Sequence, residues 1–494
     1  MRIIHTSDWH LGQYFYGKSR ADEHQQFLTW LLAQVTRHKI DAIIVAGDIF
    51  DTSTPPSYAR EMYFSFIAQL QGKNCQLIIL AGNHDSVAML SESQTVLKSL
   101  STRVITHVTP EYTYDIASQR GKADDKNNPK ANISALVKGS LKQQVFPLYN
   151  CDGDVSAMIC AIPFVRPRDV IKSRAGQSAS DKQQSLQQAI SDHYQYLYQH
   201  ALSQAKEYER QQGSAVPIIA TGHLTALGVS INDSQSDAVR DIYIGSLEAF
   251  PASAFPPADY IALGHIHRAQ KIAKSEHIRY CGSPIPLSFD EAKQDKRVLM
   301  VEFTSGKFDK VEDLIIPCFQ PLYMVKTSVD ELEPSLQAAL ALFEQYQAEN
   351  KPRSEIKAWL DIEIDNADHL SDLSQRVSEL TQEMPVEVLL VRRSKQARQR
   401  QQAQLSQQNN SMLSELSLVE VFDSRLSQLE WKTEDELARK VRLQALFTEI
   451  SVELSLEGKQ AKSSVEPDTD TGKVSDSARK QHNSKLKDIE QQDL

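Results

Sequence analysis

Five stretches of this chain share one design, and together they leave little freedom in how it can fold. RIIHTSDWH (2–10), DAIIVAGDIFD (41–51), QLIILAGNHD (76–85), PIIATGHLT (217–225) and DYIALGHIHR (259–268) each run from an apolar, β-type segment through Gly or Ser into metal-binding types of side chain. Near-continuous apolar runs suit strands covered on both faces, as in a parallel sheet flanked by helices. Between the first two, ADEHQQFLTWLLAQVTRHK (21–39) carries Phe27, Leu31 and Val35 at helical spacing, and YAREMYFSFIAQLQ (58–71) offers a second helix. The expected fold class is therefore α/β. Polar side chains are costly to bury alone. In α/β sheets the carboxyl ends of the strands line one edge, where ligands bind.

The residues collected at those ends are Asp8, His10, Asp48, Asn83, His84, His223, His265 and His267. Asp8 and His10 are two apart, as are His265 and His267. In an extended segment such residues point the same way, so each pair can grip one ion. Gly82 is expected to let the chain turn where its strand stops. Four imidazoles, two carboxylates and one amide oxygen suffice for two metals sharing a bridge. Two divalent ions less the charges of Asp8 and Asp48 leave about +2, which suits a phosphate ester. Ions about 3.5–4 Å apart can lower the pKa of a water between them and clamp an in-line displacement. Mixed nitrogen and oxygen ligation admits manganese, iron or zinc. A lone strand-end His or a lone Gly-Asp is uninformative, whereas the ordered set carries weight because every piece follows an apolar run. His5, in mid-strand, and His24, His38, His107, His193, His200 and His277, in helices or polar stretches, read as structural.

A chain of 494 residues suggests two or three domains. Residues 1–317 read as one, with a loop insertion at 111–144, a polar break at 173–185 before a helix at 186–210, and strands RVLMVEF (297–303) and VEDLIIP (311–317). From 318 to 394 the pattern changes to YMVKT, a helix at 330–349, WLDIEID, a helix at 369–382 and VEVLLVRR, a small α+β domain. A basic, then Gln-rich linker is expected at 395–410. Arg392, Arg393, Lys395, Arg398 and Arg400 there could track a DNA backbone or simply be solvated. Residues 411–457 read as a helix pair. One stripe holds Met412, Leu416, Val419, Phe422, Leu426 and Leu429; the second helix opens on Thr433 and Glu436 at capping-box spacing. Such stripes dock into a partner's groove or onto the chain's own first domain. The tail, 458–494, has few apolar residues and is expected to be disordered.

The net charge of −10 argues by itself against a polyanionic partner, but bound ions and basic patches can reverse the local sign. No apolar run is long enough for a membrane span. MRIIHTSDWH lacks a signal-peptide pattern. Cys75, Cys151, Cys160, Cys281 and Cys318 are scattered, with no C-x-x-C, and read as reduced thiols. A cytoplasmic protein with no membrane contact is expected.

Taken together, D-x-H, GD-x-x-D, GNHD, GH and GHxH resemble the calcineurin-like metallophosphoesterase family. HTSDWHLGQ, AGDIFDT, PPSYAR, LAGNHDS, DAVRDIYIGSLEAFP, ALGHIHRAQ, YCGSPIPLSFDE, VEVLLVRRS and LSELSLVEVF narrow the likeness to its DNA nuclease subunits that work with a coiled-coil ATPase. The resemblance implies a metallophosphoesterase sheet sandwich flanked by helices, a small capping domain and a C-terminal helix pair that binds the ATPase. It implies one metal on Asp8, His10 and His267, with Asp48 bridging, and a second on Asp48, Asn83, His223 and His265. His84 matches the catalytic histidine that contacts the scissile phosphate and helps the leaving oxygen depart; Asp85 would orient His84 or a ligand. The implied cofactors are two divalent ions, manganese being expected. The implied partners are DNA and the ATPase, two copies of each subunit forming a heterotetramer. The implied activity is ATP-dependent 3′→5′ exonuclease action on duplex ends with single-strand endonuclease cutting that opens hairpins. Some relatives carry a second histidine three residues after the bridging aspartate. Here that residue is Asp51, and no role carries over to it. Other readings fit less well. Serine/threonine phosphatases of the family show GD-x-x-D-R-G, whereas GDIFDTS has no arginine. Secreted nucleotidases need a signal peptide, and an inactive scaffold would not keep every ligand position and His84.

Overall fold

Alternation along the buried strands sets the layers. The computed structural model describes residues 1–108, 143–170, 179–226, 250–350, 356–365 and 373–394, with Arg442, Leu443 and Phe447. Its strands, in chain order, are β1 Arg2–Thr6, β2 Tyr14–Phe15, β3 Lys18–Ser19, β4 Ala42–Ala46, β5 Gln76–Leu80, β6 Thr102–Ile105, β7 Val145–Tyr149, β8 Val155–Cys160 and β9 Ile218–His223. There follow β10 Tyr260–Gly264, β11 Gln270–Lys271, β12 Ile278–Tyr280, β13 Arg297–Thr304, β14 Lys307–Ile315, β15 Leu322–Ser328, β16 Ala358–Asp365 and β17 Val386–Arg393. The longer helices are α1 Ala21–His38, α2 Ser57–Gln71, α3 Ala179–Gln212, α4 Leu332–Asn350 and α5 Leu373–Thr381.

Two six-stranded sheets form the main body, in the orders β14-β13-β1-β4-β5-β6 and β11-β12-β10-β9-β8-β7. In each, four adjacent strands are parallel: β1, β4, β5 and β6 in the first, β8, β9, β10 and β12 in the second. Antiparallel strands complete them, β13 and β14 on the β1 side of the first sheet and β11 and β7 at the two edges of the second. Ile3, Ile44, Ile78 and Leu80 of the first sheet meet Ile159, Ile219, Tyr260 and Ala262 of the second in one buried layer. The alternate residues Ile4, Ile43, Val45 and Ile79 pack outward on Phe27, Leu31 and Val35 of α1 and on Tyr63, Phe66 and Ile67 of α2. On the far side Met158, Ile218, Ile261 and Leu263 pack on Ile190, Tyr194 and Leu197 of α3. This sandwich of helix, sheet, sheet and helix explains the near-continuous apolar runs. Both faces of β1, β4, β5, β9 and β10 are buried, and each Ile or Leu hidden this way stabilises the fold by about 1.5–3 kcal/mol.

Several details depart from the sequence reading. The hairpin β7–β8 has no clear sequence signal, because Pro147 interrupts its first strand. The sheet tolerates that proline because β7 is an edge strand, needing hydrogen bonds on one side only. Helix α3 begins at Ala179, inside the stretch expected to be a polar break. Ala, Lys and Gln there have good helix propensity without marking an apolar face. The insertion expected at 111–144, the linker at 395–410, the helix pair at 411–457 and the tail at 458–494 lie wholly or almost wholly outside the described residues.

Strands β15, β16 and β17 form a separate parallel sheet. Its one face packs Val325, Leu360, Ile362 and Ile364 against Leu332, Leu336 and Phe343 of α4 and Val377 of α5. From the other, Leu322 and Trp359 join Phe15 and Phe289 in a small apolar cluster. Phe15 stacks on Trp359, with ring centroids 5.8 Å apart. The buried Arg20 guanidinium lies 4.8 Å from the Phe15 ring centre, pairs with Glu23 and donates to the Pro286 carbonyl at 2.6 Å. The register of β17 sets Arg392 opposite Glu363. Its guanidinium is committed to Asp361 at 3.0 and 2.8 Å and to Glu363 at 3.0 Å. Arg392 is thus tied to its own sheet, while Lys395, Arg398 and Arg400 of the basic run lie outside the described residues. No helix among the described residues is long and apolar enough to cross a membrane.

Candidate metal centre

The carboxyl ends of β1, β4 and β5 in one sheet meet those of β9 and β10 in the other. Close approach of the two edges needs missing side chains. A Cβ on Gly47 would lie 2.1 Å from the His223 ring, and one on Gly264 would lie 1.9 Å from the Ala46 carbonyl oxygen. Gly82 was expected to permit a turn, yet its φ is not in the left-handed region. What it provides is space, since a Cβ there would sit 2.1 Å from Asp48 Oδ1. The turning is done elsewhere, by Asp8, His10, Asp48 and His265, whose φ values are +53°, +47°, +51° and +95°. Non-glycine residues rarely adopt such values, and strain of this kind gathers at functional sites.

Two clusters of donors result. Asp8, His10 and His267 place one ligand atom each within 4.8 Å of one another, and so do Asp48, His223 and His265. Asp48 Oδ2 lies 3.1 Å from His223 Nε2 and 3.7 Å from His10 Nε2, between the clusters. Asn83 Oδ1 is 2.9 Å from His223 Nε2 and 3.1 Å from His265 Nδ1, so it belongs with the second cluster. The reading of His265 and His267 as a pair on one ion is corrected, because they part into different clusters. Strand β10 ends at Gly264, and His265 turns the chain, so alternation no longer applies. Asp8 and His10 do share a cluster, though β1 has already ended at Thr6.

Second contacts fix which imidazole nitrogen faces inward. His223 Nδ1–H donates to the Ala46 carbonyl at 2.8 Å, and His10 Nδ1–H to Asp51 Oδ1 at 3.1 Å, leaving Nε2 of each for the centre. His84 belongs to neither cluster. Its Nδ1–H donates to the Asp51 carbonyl at 2.8 Å, and its ring stands edge-on to His10 with centroids 4.9 Å apart. Asp51, to which the sequence assigned no role, therefore orients two histidines. Its place in GDIFDTS carried no signal that separates it from a solvated carboxylate. Asp85 was expected to orient His84 or a ligand. Instead its carboxylate accepts backbone N–H groups of Ile49 at 3.1 Å, Phe50 at 3.0 Å and Gly82 at 2.8 Å, tying the loop after β4 to the loop after β5. Ser7, also missed, donates its hydroxyl to Asp8, and nothing in its sequence context marked it.

The electrostatics fit cations. Asp8 and Asp48 are buried with no Lys or Arg partner among the described residues. Burial alone would lower the His223 pKa, but the charge and hydrogen bond of Asp48 outweigh it and push it up to about 9. Burial likewise opposes the His10 proton, and the Asp51 hydrogen bond with the charges of Asp48 and Asp8 raise it to about 9. Burial favours a protonated Asp48, yet His223 and then His10 hold its carboxyl well below the usual range. His265 is driven the other way, to about 3, by burial and by the positive charge of His223. The protons on His10 and His223 stand where positive charge is wanted. His10 Nε2, buried, has no hydrogen-bond partner. Buried carboxylates, an orphaned imidazole nitrogen and an amide oxygen converging without basic side chains fit two divalent ions.

Comparison with known proteins gives concordant results. The family model of the calcineurin-like phosphoesterases matches residues 1–269. A model described as the type 5 capsule protein repressor C-terminal domain matches 318–430. The chain is 48% identical over 448 residues to the D subunit of the SbcCD nuclease of Escherichia coli (strain K12), covering 91% of this chain and 97% of that one. The corresponding SbcCD nuclease proteins of Rhodobacter capsulatus and Bacillus subtilis are each 29% identical, over 72% and 75% of this chain and 78% and 81% of theirs.

Proposed function

Because the chain belongs to the calcineurin-like phosphoesterases and, within them, to the family of SbcCD nuclease D subunits, we propose that it is the two-metal DNA nuclease component of an SbcCD-type complex. The reading is carried by one observation: two donor clusters, buried except for half-buried His267 and Asn83, meet at Asp48, with a histidine outside both beside them. Asp8, His10 and His267 would hold one ion, Asn83, His223 and His265 the other, and Asp48 both. Manganese is the expected ion. Bound there, the ions would supply Lewis acidity to the scissile phosphate and to the water that attacks it.

The chain's own groups do the rest. The ring nitrogens behind His10 and His223 are held by Asp51 and Ala46, so the ligand atoms are aimed before substrate arrives. With Nδ1 of His84 bonded to the Asp51 carbonyl, Nε2 is the atom that passes a proton to the departing sugar oxygen as the P–O bond breaks. The activity proposed is ATP-dependent 3′→5′ exonuclease action on duplex ends, with endonuclease cutting of single strands that opens hairpins. Its partners are DNA and an SbcC-type ATPase with a long coiled coil, two copies of each protein per complex, in the cytoplasm. The apolar stripes of 411–457 are the proposed docking segment. A chain lacking 411–457 that still co-purifies with the ATPase contradicts that assignment.

The test of the activity is direct. Linear duplex DNA, a phosphopeptide and nucleotide esters are offered to the purified protein with Mn²⁺. Cleavage of DNA alone supports the reading, and preference for the phosphopeptide overturns it.

A further inference from the structure

Residues 281–296 form a strap beneath His267, and we infer that its Glu291 is a positioning residue for the cluster of Asp8, His10 and His267. The inference rests on reading that cluster as a metal site. His267 is held at two points. Its carbonyl accepts from the Ser283 backbone N–H at 3.2 Å and from Lys296 Nζ at 3.2 Å. Its ring Nδ1 faces Glu291 Oε1 at 3.5 Å.

Glu291 is itself fixed on all sides. Its other oxygen accepts from Lys296 Nζ, from Ser283 Oγ at 3.3 Å and from the Leu287 N–H at 3.2 Å. Ser283, Glu291 and Lys296 are 0%, 9% and 8% exposed. Lys296 supplies the counter-charge, so Glu291 does not need a cation of its own. The carboxylate sits at the end of a single helical turn, Phe289–Glu291. Phe289 in that turn packs on Phe15, with ring centroids 5.0 Å apart, in the cluster that includes Trp359. The turn cannot drift without disturbing that packing.

A carboxylate behind Nδ1 leaves Nε2 for an ion and raises its basicity. Both histidines of this cluster are then backed by a carboxylate, His10 by Asp51 and His267 by Glu291. In the second cluster His223 is backed by a backbone carbonyl. Loss of Glu291 should therefore weaken one ion and spare the other. A plain staple between two parts of the strap would change stability but not metal affinity, and that is the alternative to exclude.

The full chain, stripped of metal with chelator, is titrated with Mn²⁺. Bound ions are counted by equilibrium dialysis with metal analysis, and coupling between them is read by electron paramagnetic resonance. Wild type is expected to bind two ions with a spin-coupled signal. Glu291→Gln should keep one ion at wild-type affinity and bind the other about 10–100-fold more weakly, with an isolated-manganese signal at limiting metal. Because that variant leaves Lys296 buried without its counter-charge, E291Q/K296M is measured alongside. The double variant should recover metal-free thermal stability but not the second ion. Two ions at wild-type affinity in both variants overturn the inference while leaving the metal reading intact. Fewer than two ions on wild type overturn the metal reading and the inference with it.

Discussion

Asp48 is the residue on which both clusters depend. One oxygen faces His223 and His10, and the other accepts the His84 backbone N–H at 3.0 Å. Asp48→Ala should therefore empty both sites, measured as metal per chain after dialysis; a variant still cutting DNA with manganese contradicts the bridging assignment. His84 stands apart from both clusters, so His84→Ala should keep two ions and lose about 10²–10⁴-fold in turnover. Loss of an ion from that variant would move His84 into the ligand set. Every residue proposed as a ligand was legible in the sequence, because each follows an apolar run within a few positions. Asp51 and Glu291 were not, for a physical reason. They act on Nδ1 atoms from a distance set by loop geometry, and nothing in GDIFDTS or SFDEAK separates them from solvated carboxylates.

At the scale of elements, the strands bring the ligands near, but the loops after them set the geometry. Asp85 holds two of those loops together with three backbone hydrogen bonds. Burial first, and then the charge of Asp48, push its pKa up to about 6 against the pull of those N–H groups. Asp85→Ala leaves three buried N–H donors without that acceptor, each worth about 1–3 kcal/mol. It should cost several-fold more stability than an ordinary surface substitution, read by denaturant unfolding of metal-free protein, and should weaken both ions. A variant with wild-type stability and metal content would show the loops to be held by other contacts. The apolar runs foretold β1, β4, β5, β9 and β10 because all five are buried on both faces. They did not foretell the left-handed residues that follow β1, β4 and β10, since a conformation imposed by tertiary contact leaves no mark in local pattern.

At the scale of the whole molecule, burial makes stability depend on acidity. His5 and His24 were read as structural, and both are buried, His5 Nδ1 lying 2.9 Å from the Tyr260 hydroxyl and His24 Nε2–H donating to the Trp9 carbonyl at 2.9 Å. Burial is the main cause that lowers each from 6.5 to about 3, aided at His24 by the charge of Arg20. Below pH 6.5 the unfolded chain takes up protons on both while the folded chain does not. Their contribution is whole above pH 6.5 and falls with acidification toward pH 3, by up to about 1.4 kcal/mol per unit for each. His10 and His223, raised to about 9, act in the opposite sense only above 6.5 and leave the acid limb unchanged. The denaturation midpoint of metal-free protein should thus drop between pH 7 and pH 5.5; an unchanged midpoint argues against buried neutral histidines. The central claim is that strand ends from two sheets build one centre for two ions. Anomalous scattering from crystals of the purified protein grown with manganese tests it most directly. Two peaks are predicted, one among Asp8, His10, His267 and Asp48, the other among Asp48, Asn83, His223 and His265. A single peak, or peaks away from Asp48, would contradict it.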